Sequence, residues 1–166
     1  LLFWAKSQRK EIEPSPETFD LCEILEDNVR LLSSMAADKH IEIRAPQNLS
    51  VELTADANMV NVIVRNLISN AIKFTPNGGT VVLNCSELKE QVILTVTDTG
   101  IGIEPEVLQH LFDADFHYST RGTNYEKGTG IGLSLSYDFA KRIGGDLTAE
   151  SVLGKGSTFS VRFPRH

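Results

Sequence analysis

One helix constrains this chain more than any other feature. It is expected roughly from Asp56 to Thr75, and its centre reads RNLISNAIKFT. Met59, Val60, Ile63, Val64, Leu67 and Ala71 give it apolar cover at helical spacing. Asn66, Asn70 and Lys73 fall at i, i+4 and i+7. At about 100° per residue they lie within roughly 60° of one another and share one face. Two readings of that polar stripe stay open on the pattern alone. Either the amides are solvated and Lys73 is a surface cation suited to a helix C-terminus, or the face is kept for a ligand.

The rest of the chain builds outward from this helix. Leu1 to Ile12 reads as the tail of a helix too short to stand alone. Pro14 and Pro16 end it in a short stiff linker. Phe19 and Leu21 fit a brief extended edge, and Asp20 is placed to cap a helix running to about Asp38. IEIRA (Ile41 to Ala45) and SVELTA (Ser50 to Ala55) alternate as strands around a turn at Pro46 to Leu49. After the central helix, Pro76-Asn77-Gly78-Gly79 is a stop. Thr80 to Leu88 and Gln91 to Gly100 follow as a hairpin turning at Lys89-Glu90. Pro105 to Phe112 predicts one or two helical turns. Asp113 to Lys127 has no period and reads as a long loop of the functional kind. Gly128 to Gly132 opens a helix to about Ile143, and Gly144-Gly145 ends it. DLTAESV and STFSVRF close the chain as two strands turning at Gly154-Lys155-Gly156. This order predicts an α+β, two-layer α/β sandwich: a mixed β-sheet covered on one face by helices.

Composition mainly excludes. A chain of 166 residues is enough for one domain with its own core. The formal net charge of −6, with no long lysine or arginine run, argues against a nucleic-acid surface. A nucleotide binder with this balance must build its positive field locally. Cys22 and Cys85 form no CxxC pair and read as free thiols in a reducing compartment, a single disulfide being the alternative. No stretch is apolar enough to span a bilayer, and no signal peptide is present. A chain opening on Leu1 reads as a piece of a larger protein.

Two glycine-rich boxes carry chemistry. DTGIGI (Asp98 to Ile103) sits at a strand end, where Gly100 and Gly102 allow close backbone approach or positive φ. Asp98 is either a base-binding carboxylate or the acceptor of a simple Asx turn. KGTGIGLSLS (Lys127 to Ser136) puts three glycines where a loop enters a helix, and free N–H groups there suit phosphate. A plain hinge is the other reading. It is neither a P-loop nor the dinucleotide fingerprint, since no Gly-Lys-Ser/Thr follows and no strand precedes it.

Taken in order, an asparagine helix, a DxGxG turn, a phenylalanine-bearing loop and a GTGxGL helix start resemble the ATP-binding (Bergerat) fold shared by gyrase, Hsp90, sensor histidine kinases and MutL. Within that group the chain is similar to the catalytic ATP-binding domain of a bacterial two-component sensor histidine kinase. NLISNAIKFTPNGG matches the family's asparagine box almost residue for residue. The resemblance covers about Phe19 to Pro164, and Leu1 to Ile12 resembles the end of the helical dimerisation domain. It implies boundaries of 1–13 for that remnant and 14–166 for the catalytic domain, with an ATP lid at about 104–130.

The resemblance also implies roles. Asn70 would ligate Mg²⁺ through its amide oxygen, Asn66 would help position the metal and its waters, and Lys73 would reach the phosphates of ATP as a point charge. Asp98 would accept from the adenine amino group, with Gly100 and Gly102 letting the base lie against the turn. Gly128, Gly130 and Gly132 would form the lid hinge and offer backbone donors, with Thr129 between them a further nucleotide contact. Phe112 and Phe116 match the phenylalanine box, while Ile103, Leu133 and Thr158 are further nucleotide contacts. Arg121, His117 and Lys127 are the candidates for the lid cation. Related ATPases carry glutamate where this chain has Asn66, and an amide cannot serve as a general base. The site is therefore expected to hold ATP without hydrolysing it well.

Two departures matter. Asp115 stands where the phenylalanine box often has proline. None of His40, His110, His117 or His166 sits in anything like the family's phosphoacceptor helix, so the acceptor histidine is expected on a separate dimerisation domain. A response-regulator receiver domain would follow as partner. The parent is expected to be a homodimer with this domain in the cytoplasm and an anchor in the inner membrane, and this piece to be monomeric or weakly associated. The rival readings are a kinase-like nucleotide-binding regulatory module without phosphotransfer, and a true ATPase, which Asn66 disfavours.

Overall fold

The structure, a computed structural model, describes residues 13–113 and 132–165 together with Gly122. The elements are β1 (Glu17–Asp20), α1 (Leu21–Leu31), α2 (Ser33–Asp38), β2 (Glu42–Arg44), β3 (Glu52–Ala55) and α3 (Ala57–Lys73). They continue with β4 (Thr80–Glu87), β5 (Gln91–Asp98), α4 (Pro105–His110), α5 (Gly132–Arg142), β6 (Asp146–Val152) and β7 (Gly156–Pro164). The helix expected over Leu1 to Ile12 lies outside the described residues.

Five strands form the main sheet in the order β2-β4-β5-β7-β6. Only β2 runs parallel to its neighbour, so the sheet is mixed. Strand alternation divides its faces. Val81, Leu83, Val92, Leu94, Val96, Leu147, Phe159, Val161 and Phe163 are buried on one face, among the core residues of α3 and α5. The alternate positions, among them Thr95, Thr97, Thr158, Ser160 and Arg162, are more exposed. This is the expected two-layer sandwich with helices on one face.

One expectation needs correction. The strands on either side of Pro46–Leu49 are not partners. β2 joins the main sheet beside β4, with Glu42 opposite Thr80. β3 pairs antiparallel with β1, Glu17 opposite Ala55, in a separate two-stranded sheet. Alternation fixes which face a strand buries but not which strand it meets. The helix expected from Asp20 to Asp38 is likewise two helices, broken at Leu32.

Two aspartates anchor these joins. Asp20 Oδ1 accepts from Cys22 N at 2.9 Å and Val51 N at 3.0 Å, while its Oδ2 accepts from Ser50 Oγ at 2.7 Å. Burial pushes its pKa up, but these hydrogen bonds outweigh it and hold the carboxyl below the ordinary range. Asp56 caps α3 through Met59 N at 3.1 Å and holds the linker through Ser15 N at 2.9 Å.

The other end of α3 has a cap the sequence gives no sign of. Lys39, only 3% exposed, donates from Nζ to Ile72 O at 2.9 Å and Lys73 O at 3.0 Å. A cation there satisfies two helix carbonyls and suits the dipole. Lys39→Met is expected to lower unfolding free energy by about 2–3 kcal/mol, since hydrogen bonds to charged groups are worth about that much. Urea denaturation measures it, and a loss under roughly 0.5 kcal/mol would refute the cap's importance.

Cys22 and Cys85 are free thiols, and the fold brings them near enough for each to shift the other's titration. Burial pushes Cys85 up to about 12 and raises Cys22 as well. Among the described residues no helix is long and apolar enough to cross a membrane.

Candidate functional site

The site forms where β5 ends, beside the last turns of α3. Asp98 is the final residue of β5, 7% exposed, and lies opposite Ser157 of β7. Its Oδ1 accepts from Gly100 N at 2.8 Å and Ser157 N at 3.2 Å. The Asx turn is therefore real, yet it uses a single oxygen. Oδ2 has no hydrogen-bond partner among the described residues. Burial pushes the Asp98 pKa up, and the two backbone donors offset this only in part. An unpaired, buried carboxylate oxygen is costly unless something outside the chain meets it.

Gly100 and Gly102 earn their places through packing. A Cβ on Gly100 would stand 2.4 Å from Phe74 O, and one on Gly102, at φ +72°, would stand 2.2 Å from Val152 O. The turn is thus pressed between the end of α3 and the β6–β7 hairpin. Ile101 N donates to Phe74 O at 3.1 Å, and Gly154 N to Ile101 O at 2.7 Å. The space a side chain needs is taken by backbone of the same chain.

The asparagine face of α3 looks onto this turn and onto α5. Asn66 Nδ2 donates to Gly132 O and to Ser136 Oγ, each at 3.1 Å. A carbonyl only accepts, so the contact with Gly132 fixes which amide atom is nitrogen, and Oδ1 has no hydrogen-bond partner among the described residues. Asn70 is half-buried, and its amide has no hydrogen-bond partner among the described residues. Lys73 is 7% exposed, not a surface lysine, and its Nζ lies 5.0 Å from the centre of the Phe74 ring.

Asn70, Ala71, Phe74, Asp98, Gly102, Ile103, Leu133, Ser157 and Phe159 line one small, mostly apolar pocket. Phe112, two residues past the end of α4, packs behind the pocket wall: its ring stacks on Tyr137 at 5.1 Å and meets Phe159 edge-on at 6.4 Å. A larger, open hollow at the opposite end of β5, between Leu88–Gln91 and Gly144–Asp146, holds none of these residues.

Thr158, expected as a nucleotide contact, is not among the residues that line this pocket. Thr158 pairs with Thr97, their hydroxyls 3.1 Å apart, on the sheet face away from the helices. Its neighbour Ser157 lines the pocket instead. Phe116, His117, Arg121, Lys127, Gly128, Thr129 and Gly130 lie outside the described residues.

Comparison with known proteins names the class this fold belongs to. The chain belongs to the histidine kinase-, DNA gyrase B- and HSP90-like ATPase family, whose model matches residues 55–166. Within that family its relatives are sensor histidine kinases. Histidine protein kinase DivJ of Caulobacter vibrioides is 36% identical over 167 residues, an alignment covering 99% of this chain and 28% of DivJ. Full-length ShkA, solved in complex with AMPPNP, superposes with a TM-score of 0.81 at 29% identity, over 98% of this chain and 34% of ShkA. The catalytic domain of histidine kinase ThkA, 23% identical, shares the fold with a TM-score of 0.78, over 90% of this chain and 97% of that domain. The chain thus spans about a third or less of the full-length relatives and nearly all of an isolated catalytic domain.

Proposed function

We propose that this domain binds Mg²⁺-ATP and presents the γ-phosphate to a histidine on a separate dimerisation domain of its parent kinase. The observation that carries the reading is one pocket holding two polar groups, Asp98 Oδ2 and the Asn70 amide, that no described residue meets, between apolar walls. Asp98 accepts from the adenine amino group. Ile103, Leu133 and Phe159 cover the ring faces.

The residues present fit Mg²⁺. Among the described residues no group of three His, Cys, Asp or Glu side chains could cage a metal. Mg²⁺ needs no such cage: it accepts one or two protein oxygens beside phosphates and water. Asn70 supplies an amide oxygen, and Asn66, held by α5, has an oxygen that no described residue occupies. The ion's part is to neutralise phosphate charge. Lys73 adds a further cation on the same face. Catalysis here is positioning and charge neutralisation, and the chain offers no base at Asn66 to activate water.

The remaining assignments follow from this reading. Residues 1–13 are the end of the dimerisation helix and start of the linker and 14–166 the catalytic domain, with its lid at about 104–130, including Phe116, one cation from Arg121, His117 and Lys127, a hinge at Gly128, Gly130 and Gly132, and a nucleotide contact at Thr129. The parent is a homodimer anchored in the inner membrane, with this domain in the cytoplasm, and a response-regulator receiver domain takes the phosphoryl group onward.

Calorimetry with Mg²⁺-ATP and Mg²⁺-GTP tests the site. Guanine places a carbonyl where adenine has its amino group. Losing one hydrogen bond to a charged acceptor, worth about 1.5–3 kcal/mol, weakens GTP by roughly 10- to 150-fold. Equal affinities would overturn the assignment of Asp98.

A further inference from the structure

Three contacts converge on a hydroxyl that the ATP reading does not itself require. Ser151, near the end of β6, lies opposite Ser157. Its Oγ receives the Ile103 N–H at 2.8 Å, stands 3.0 Å from Gly156 O as donor, and lies 2.8 Å from Ser157 Oγ. A hydroxyl has one hydrogen and two lone pairs. Gly156 O can only accept, so it takes the Ser151 hydrogen. Ile103 N–H can only donate, so it takes one lone pair. The remaining lone pair must then accept the hydrogen of Ser157.

This arrangement satisfies all three contacts, and it fixes the proton on Ser157. With its hydrogen turned back toward Ser151, Ser157 Oγ offers the pocket only lone pairs. Asp98, directly across the β5–β7 ladder, also offers only lone pairs. The polar end of the pocket is therefore acceptor beside acceptor.

We propose that Ser151 is a positioning residue for base recognition: by holding the Ser157 hydroxyl hydrogen out of the pocket, it makes the pocket select a purine carrying an exocyclic amino group over one carrying a carbonyl. Ser151 does not line the pocket and acts through Ser157. The inference rests on the reading of this pocket as the adenine site. Without Ser151, Ser157 is free to turn its hydrogen inward and donate to a carbonyl.

The test compares Mg²⁺-ATP with Mg²⁺-ITP, whose base has a carbonyl in place of the amino group, by calorimetry on the whole chain. The wild-type protein is expected to favour ATP. If it binds neither nucleotide, the nucleotide reading itself fails. Given binding, Ser151→Ala is expected to shrink the ATP:ITP affinity ratio by roughly 2- to 12-fold, the worth of one neutral hydrogen bond. Ser151→Thr, which keeps the hydroxyl, is expected to restore the ratio. In a Ser157→Ala background, Ser151→Ala is expected to leave the ratio unchanged. Equal weakening of both nucleotides in Ser151→Ala, or the same ratio shift with Ser157 absent, would overturn the proposal. Should Ser151→Ala not fold, Ser157→Ala alone decides, since an unaltered ratio there removes the hydroxyl from base selection.

Discussion

Asp98→Asn is expected to cost roughly 10- to 150-fold or more in ATP affinity while leaving the apo domain as stable as before, or more so. The asparagine oxygen can take over both backbone donors, Gly100 N and Ser157 N, so the turn survives. The amide nitrogen then replaces Oδ2 and sets a donor against the adenine amino group. The stability side has a definite sign. Burial raises the Asp98 pKa in the folded state, so the folded domain holds that proton more tightly than the unfolded chain. Stability from this group is greatest at low pH and declines as pH rises from the ordinary carboxylate value through the raised one. At neutral pH the charged, buried carboxylate is thus a cost that the amide removes. ATP affinity follows the opposite course, because the acceptor is lost as Asp98 protonates. Urea unfolding and nucleotide calorimetry at pH 7 measure both. A variant that binds ATP like the wild type, or that simply unfolds, would contradict the assigned role.

Asn70→Ala is the second large effect. Its amide has no hydrogen-bond partner among the described residues, so truncation should change apo stability by no more than about 0.5 kcal/mol. Losing the proposed Mg²⁺ ligand should instead reduce phosphoryl transfer by roughly 100- to 1,000-fold, the scale seen when one preorganised electrostatic contact is removed. Asn66→Ala should behave differently. That side chain donates to Gly132 and Ser136 of α5, so its loss should loosen α3 against α5 as well as the proposed metal site.

What the sequence shows and what it hides divide along physical lines. α3 was legible because its apolar period and its Asp56 cap are local. The β4–β5 and β6–β7 hairpins were legible because two-residue and glycine turns leave little choice of partner. β2 and β3 were not, because strand alternation carries no address: each pairs with a strand distant in sequence. Lys39 at the end of α3 and the meeting of Cys22 with Cys85 are likewise products of tertiary folding, with no local spacing to announce them. In the pocket, Asp98, Asn70, Gly102, Ile103 and Leu133 were readable as a set and the fold brings them together. Thr158 stands one residue away from the pocket lining. β7 begins at Gly156, and its phase, set by pairing with β5, turns Ser157 inward and Thr158 outward. Ser151 had no motif to mark it at all.

Phosphoryl transfer in trans tests the central claim most directly. This chain is mixed with the separate histidine-bearing domain of its parent, Mg²⁺ and γ-labelled ATP, and acid-labile label is followed on the acceptor. Label that accumulates with the wild-type chain and falls at least about 100-fold with Asn70→Ala is the predicted result. Tight Mg²⁺-ATP binding without any label on the acceptor would contradict it, and would leave a nucleotide-sensing module in place of a kinase domain.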